Sequence, residues 1–157
     1  MSTPLPQPKK KDPQKRSVAA TRPPEMRSRA AMHLTAAAAE GRLVMQCCSE
    51  CNEVLYPPRD ACSNCLGTDL SIQDIASGGQ LIAETTIHAS PRLFFRERLP
   101  WRTGTVKLDA GPVILAHVHP DVVKHARVHV EHRLDRAGQG VFLALPEQAT
   151  PHMEDEP

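Results

Sequence analysis

The sequence predicts a mainly β protein: an N-terminal helix, a small metal-held ribbon and a five-stranded barrel. Three observations carry that prediction. Cys48, Cys51, Cys62 and Cys65 form two Cys-x2-Cys pairs separated by ten residues, the ligand spacing of a rubredoxin-like zinc ribbon. After Ser77-Gly78-Gly79 the chain passes into five runs rich in Val, Ile, Thr and Leu, which read as strands. Asp109-Ala110-Gly111-Pro112 and Arg136-Ala137-Gly138-Gln139-Gly140 read as the turns between two pairs of them.

The chain starts with residues 1–25, where Pro4, Pro6, Pro8, Pro13, Pro23 and Pro24 are interleaved with Lys9, Lys10, Lys11, Lys15 and Arg16. With almost nothing apolar to bury, this basic segment is expected to be a disordered, solvated tail. Residues 26–42 read as a helix: Met26, Ala30, His33 or Leu34, and Ala37 recur near helical spacing, the alanine run favours helix, and Gly41 is placed to stop it. The ribbon is expected over residues 43–76, with short strands at Leu43–Gln46 and Val54–Tyr56 flanking the first metal knuckle. Pro57-Pro58 ends the second strand, and Ala61–Gly67 forms the second knuckle. The barrel is expected over residues 77–147, with strands at Leu81–His88, Thr103–Leu108, Val113–His119, Ala126–Arg133 and Val141–Leu145. The last four are expected to pair largely as antiparallel neighbours. A closed sheet of five strands and about seventy residues fits the OB-fold. Residues 148–157 form a short acidic tail.

Composition narrows the function classes. A net charge of +1 on 157 residues argues against a general polyanion binder. No run of eighteen apolar residues is present, so no membrane span is expected. Met1–Lys11 lacks an apolar signal-peptide core, and reduced cysteines without an export signal give a cytoplasmic expectation. Five cysteines are an odd count for disulfides, which favours zinc. The fifth, Cys47, leaves open the register Cys47-x3-Cys51, but Cys48 repeats the spacing of the second pair. Four thiolates close the coordination sphere, so the expected cofactor is one structural Zn2+.

Zinc ribbons and OB-folds also serve nucleic acids. Single-strand binders need aromatic platforms along a positive groove, whereas Phe94, Phe95 and Trp101 fall in one loop and the barrel strands are not predominantly basic. Nucleic-acid binding is therefore the second reading.

The run Ala38-Ala39-Glu40-Gly41-Arg42-Leu43-Val44-Met45-Gln46-Cys47-Cys48-Ser49-Glu50-Cys51, followed by Tyr56-Pro57-Pro58-Arg59 and Cys62-Ser63-Asn64-Cys65, resembles the zinc-ribbon OB-fold family of acyl-CoA-associated proteins. The likeness continues through Gly79, Thr85, His88, Val106–Gly111 and Val141-Phe142, covering about Ala38 to Pro146. It implies a small, non-catalytic partner subunit of a thiolase-like enzyme acting on acyl-CoA. The partner would supply the catalytic cysteine and histidines. Small subunits of aromatic-degradation thiolases, such as benzoylsuccinyl-CoA thiolase, are the nearest in character. The extra Cys47 and the loop Ser90–Trp101 depart from the family pattern.

That loop carries Phe94, Phe95 and Trp101 with Arg92, Arg96 and Arg98 among them. Aromatic and arginine side chains are favoured at interface hot spots, so Phe94, Phe95 and Trp101 are the candidate partner interface. Arg92, Arg96 and Arg98 are the candidate contacts to CoA phosphates. The structural alternative is that the aromatics cover the open end of the barrel. His117 and His119 lie two apart on a strand and so face one side, but no third ligand is identifiable and a turn follows at Pro120. His129-Val130-Glu131-His132 lacks the helical four-residue spacing of a zinc-protease motif and reads as a solvated strand face. Cys47 is the one thiol left over from zinc and is expected to be a poor nucleophile.

Overall fold

The structure is a computed structural model, and it describes residues 31–147. The expected basic tail, the first turn of the expected helix and the acidic tail lie outside the described residues. Helix α1 (Met32–Ala39) ends where its alanines run out. Gly41 takes the left-handed conformation at φ +70°, and Gly41 and Arg42 donate to the carbonyls of Ala38 and Ala37 at 3.2 and 2.9 Å. The glycine stop is thus realised, and it turns the chain straight into the ribbon.

The ribbon is a three-stranded antiparallel sheet, β1 (Val44–Cys48), β2 (Val54–Leu55) and β3 (Leu70–Asp74), in the order β2-β1-β3. Strand β3 was not expected. Its sequence, Leu-Ser-Ile-Gln-Asp, is half-buried at best because it forms a sheet edge, and an edge strand imposes no clean apolar alternation. Strand β1 has the opposite character, being buried along all five residues.

The barrel contains β4 (Gly78–Ile87), the single-turn helix α2 (Leu93–Arg96), β5 (Trp101–Leu108), β6 (Val113–Val118), β7 (Arg127–Leu134) and β8 (Gly140–Pro146). Its strands close in the order β4-β5-β6-β8-β7. The expectation of sequential antiparallel neighbours is corrected at one place: β6 pairs with β8 in parallel, at His117↔Leu143 and Val118↔Ala144. The chain crosses from β6 to β7 so that β7 can pair with β4 and seal the barrel, which removes the free edges of an open sheet.

Alternate residues fill the interior: Leu81, Val106, Leu108, Ile114, Ala116, Val118, Val128, Val130, Phe142 and Ala144. Each fully buried aliphatic side chain contributes about 1.5–3 kcal/mol relative to exposure. Gly104 is dictated by this packing, since a Cβ there would lie 2.6 Å from the Ala83 carbonyl oxygen and 2.7 Å from Leu81 Cδ1. The bulge between Leu81 and Ala83 brings those atoms close.

One end of the barrel is filled by the ribbon, because Leu43 and Met45 belong to the barrel's own core cluster. His132 ties the junction. The expected solvated face at residues 129–132 is corrected here: His132 follows Val128 and Val130 inward and is only 2% exposed. Its ring stacks on Phe142 at 4.6 Å. Its Nδ1 lies 3.2 Å from the Arg42 carbonyl oxygen, which can only accept, so Nδ1 carries the proton. Tyr56 packs edge-on to Phe142 at 5.5 Å from the ribbon side.

Truncating Met45→Ala removes a ribbon side chain from the barrel core and is expected to cost about 2–5 kcal/mol. Trp101 is the chain's single tryptophan and sits in the barrel. Urea unfolding followed by its fluorescence checks the result, with a lower midpoint expected. An unchanged barrel transition would mean that the ribbon and barrel are not coupled through this residue.

Candidate metal centre and aromatic cap

The two knuckles repeat one geometry. In the first, the Asn52 N–H donates to the Cys48 carbonyl at 2.9 Å; in the second, the Leu66 N–H donates to the Cys62 carbonyl at 3.1 Å. Asn52 and Leu66 both close their turns in the left-handed region, at φ +59° and +65°. Each turn thereby aims two thiols at a common point. The four Sγ atoms of Cys48, Cys51, Cys62 and Cys65 all lie within 4.8 Å of one another. Cys48 is 3.5 Å from Cys65 and Cys51 is 3.6 Å from Cys62, close to the sulfur–sulfur edge of about 3.8 Å that Zn–S bonds of about 2.3 Å require in a tetrahedron.

The donor chemistry fits the ion as well. The Asn64 N–H points at Cys62 Sγ from 3.3 Å, a bond that favours the thiolate. The Gly67 N–H does the same for Cys65, but hydrogen bonds from Cys48 and Cys51, burial and a bond from Cys62 together push that thiol up to about 12. Four sulfurs this close ionise together only around a cation. These residues would hold one zinc ion, whose chemistry with a full shell of protein thiolates is structural.

Cys47 lies on the other face of β1, opposite Val54 and Ser71, because adjacent strand residues alternate. It is buried, and burial pushes its thiol up. Cys48 therefore belongs to the cluster and Cys47 does not. On the cluster's own face of β1, buried Gln46 spends both ends of its amide on one residue. Its Nε2 donates to the Arg59 carbonyl at 3.0 Å, and its Oε1 accepts the Arg59 N–H at 2.7 Å.

The loop from Ser90 to Trp101 forms a cap around α2. Phe94 is buried, Phe95 meets it edge-on at 5.2 Å, and Trp101 meets Phe95 edge-on at 5.6 Å. The Trp101 Nε1–H donates to His117 Nδ1 at 2.7 Å, with the rings 4.9 Å apart. Trp101 and Thr103 alternate with inward Gly104 and Val106, so the cap lies on the outer surface of β5 and β6. Closing the barrel end falls instead to Val122, which joins the core, and to Arg102. Arg102 pairs with Glu84 and donates to the carbonyls of His119, Pro120 and Val122 at 2.9, 2.9 and 2.5 Å. Sequence reasoning missed Arg102; the only available signal was its place between two outward residues.

The candidate arginines separate. Arg98 sits 3.9 Å over the Phe94 ring and donates to the Phe94 carbonyl at 2.7 Å, so its guanidinium is committed to the cap. Arg92 is exposed and Arg96 half-buried, and among the described residues neither makes an ion pair. His117 and His119 do not converge. His117 is held under Trp101, while exposed His119 accepts the Asp121 N–H at 3.3 Å past the strand end. Among the described residues, only the four cysteines gather with metal-binding geometry, and no helix is long and apolar enough to cross a membrane.

Replacing Cys62→Ser is expected to abolish zinc retention, whereas Cys47→Ser keeps one zinc per chain; metal analysis of the purified variants reads this directly. A strong chelator is expected to unfold the ribbon, since zinc contributes on the order of 10 kcal/mol to such modules. Unchanged circular dichroism after metal loss would contradict that role.

The cap has its own pH signature, because His117 can accept from Trp101 only when neutral. Burial holds His117 below its ordinary value of 6.5, with Asp135 opposing. Above 6.5 the stabilisation is complete. As pH falls below 6.5 the unfolded chain takes the proton first, and stability declines until folded His117 is protonated as well. The unfolding midpoint is expected to fall as pH drops below 6.5, and tryptophan emission to change at lower pH as folded His117 takes its proton. His117→Gln, which accepts but does not titrate, is expected to flatten that dependence.

Comparison with known proteins agrees with this architecture. The family model for the ChsH2 rubredoxin-like zinc ribbon domain matches residues 35–71, and that for the ChsH2 C-terminal OB-fold domain matches residues 73–136. A solved structure described as the Ltp2-ChsH2(DUF35) aldolase superposes with a TM-score of 0.66 at 22% identity, over 79% of this chain and 98% of that one; at that identity the likeness speaks for the fold alone. No curated protein matches the sequence. The two adjoining domain matches span well over half of the chain, in the order ribbon then barrel and with the four-cysteine site inside the first, and the chain belongs to the ChsH2 family of zinc-ribbon and OB-fold proteins.

Proposed function

We propose that this protein is the non-catalytic zinc-binding subunit of an acyl-CoA enzyme complex whose catalytic chain is of the thiolase type. The observation that carries the reading is the closed shell of four cysteines. It makes the ribbon a rigid, metal-held platform with no coordination site left for substrate. The solved neighbour is described as an aldolase containing a ChsH2(DUF35) chain and Ltp2, which supports a two-component arrangement. Aldolases and thiolases both make or break carbon–carbon bonds.

In this reading the ribbon and α1 dock on the catalytic chain, and the cap stands at the shared entrance. Phe95 and Trp101 supply the aromatic contact, with buried Phe94 as their support. Arg92 and Arg96 meet CoA phosphates, while Arg98 holds the cap in shape. The protein thus stabilises its partner and shapes the path of CoA and the acyl chain. A single-strand nucleic-acid role fits less well, because the aromatics cluster against one histidine and do not form a row of platforms along a groove.

The test is reconstitution with the thiolase-type chain that co-purifies from the native host. Phe95→Ala and Trp101→Ala are each expected to weaken the complex by about tenfold or more, as for interface hot spots, with zinc content unchanged. An intact fold with undiminished complex formation would place the interface elsewhere. Salt-sensitive binding to single strands with no protein partner would favour the nucleic-acid reading.

A further inference from the structure

We propose that Arg59 is a pre-positioned anchor for a single carboxylate of the catalytic partner subunit, with Gln46 as its positioning residue; this rests on the subunit reading above. The argument begins with a buried amide. Gln46 is one of two buried polar residues among those described, and it stands on a strand whose other members pack the helix, the barrel and the zinc. Both hydrogen bonds of its amide run to the backbone of Arg59, thirteen residues on. The knuckles do not depend on this clamp. The first is closed by Cys48 N–H to Glu53 at 3.0 Å and the second by Cys62 N–H to Gly67 at 2.8 Å. What the clamp fixes is the outlet of the Tyr56-Pro57-Pro58-Arg59 segment, where two prolines offer no N–H and Arg59 is the first backbone donor.

The side chain so placed is exposed. It is also the only basic residue between 43 and 76, where Glu50, Glu53, Asp60, Asp69 and Asp74 are acidic. Among the described residues Arg59 makes no ion pair with any of them, while Arg42, just outside the ribbon, takes Asp74 at 2.6 Å. A fixed backbone and an unspent guanidinium suit a planar, bidentate partner, and a carboxylate is the group that matches that fork. Charge argues against CoA phosphates: Arg59 is the one base against five acids in residues 43–76, with Asp60 next to it in sequence, and a polyanion would meet that net negative segment. One carboxylate set in a neutral or basic protein surface is tolerated.

The experiment measures affinity between the full chain and its thiolase-type partner at low and moderate salt. Arg59→Met is expected to weaken the complex roughly tenfold to a hundredfold and to flatten its salt dependence. Arg59→Lys is expected to restore only part of the loss. Gln46→Met keeps the arginine but frees its backbone, and is expected to weaken binding severalfold with the zinc content unchanged. Unaltered affinity and salt slope in Arg59→Met would overturn the anchor while leaving the subunit reading intact. A loss confined to CoA affinity would overturn it in favour of a phosphate contact. Absence of any complex with the unmodified chain would remove both.

Discussion

The whole molecule hangs on the burial of one five-residue strand. Val44, Gln46 and Cys48 face one way from β1, and Met45 and Cys47 face the other. Val44 packs into a cluster with Ala31, Leu34 and Ala37 of the helical segment. Gln46 holds the segment at Arg59, and Cys48 joins Leu55 and Cys62 beneath the metal site. From the opposite face, Met45 enters the barrel core. A strand buried on both faces has no tolerance for register error, since a slip of one residue would exchange the zinc ligand for Cys47 and withdraw Met45 from the barrel. Helix, metal site and barrel are therefore oriented by a single local structure.

That arrangement explains why a ribbon so poor in apolar residues can be rigid. Its own sheet has one edge strand of two residues and another largely exposed, too little to fold alone. The zinc ligands cross-link the end of β1 and the two knuckles, and the barrel lends β1 its second buried face. His132 completes the joint. Its proton on Nδ1 goes to the Arg42 carbonyl, its ring covers Phe142, and Gly140 leaves room for it, since a Cβ there would come within 2.6 Å of Nε2. Mutual dependence of this kind is what couples the ribbon to the barrel through Leu43, Met45 and His132.

Sequence alone disclosed what rests on spacing and alternation. The cysteine quartet, the glycine stop of α1 and all five barrel strands follow from rules that act over a few residues. The features it missed depend on partners distant in the chain. Strand β3 is specified by β1 and not by its own polar sequence. The parallel β6–β8 pair follows from closure of the barrel, which no hairpin signal encodes. His132 looked solvent-facing because its motif is polar, yet alternation with Val128 and Val130 already placed it inside, and that parity was the signal to follow. Arg102 and Gln46 carried little signal for the same reason: a charged or amide side chain declares its role through the backbone groups it meets.

The chemistry of the candidate groups is consistent with the proposed subunit reading. A nucleophile needs a thiol that ionises and a path to it; Cys47 is buried, with its thiol pushed up, and the other four cysteines share a coordination shell. His117 spends Nδ1 accepting from Trp101, and His132 spends its Nδ1 proton on a backbone carbonyl inside the junction. Arg59, fixed by its backbone, and Arg92, at the start of α2, are exposed, and Phe95 and Trp101 are half-buried on the cap. In the proposed subunit reading these are the groups that would meet the partner, and the buried hydrogen bonds of the fold hold them in place.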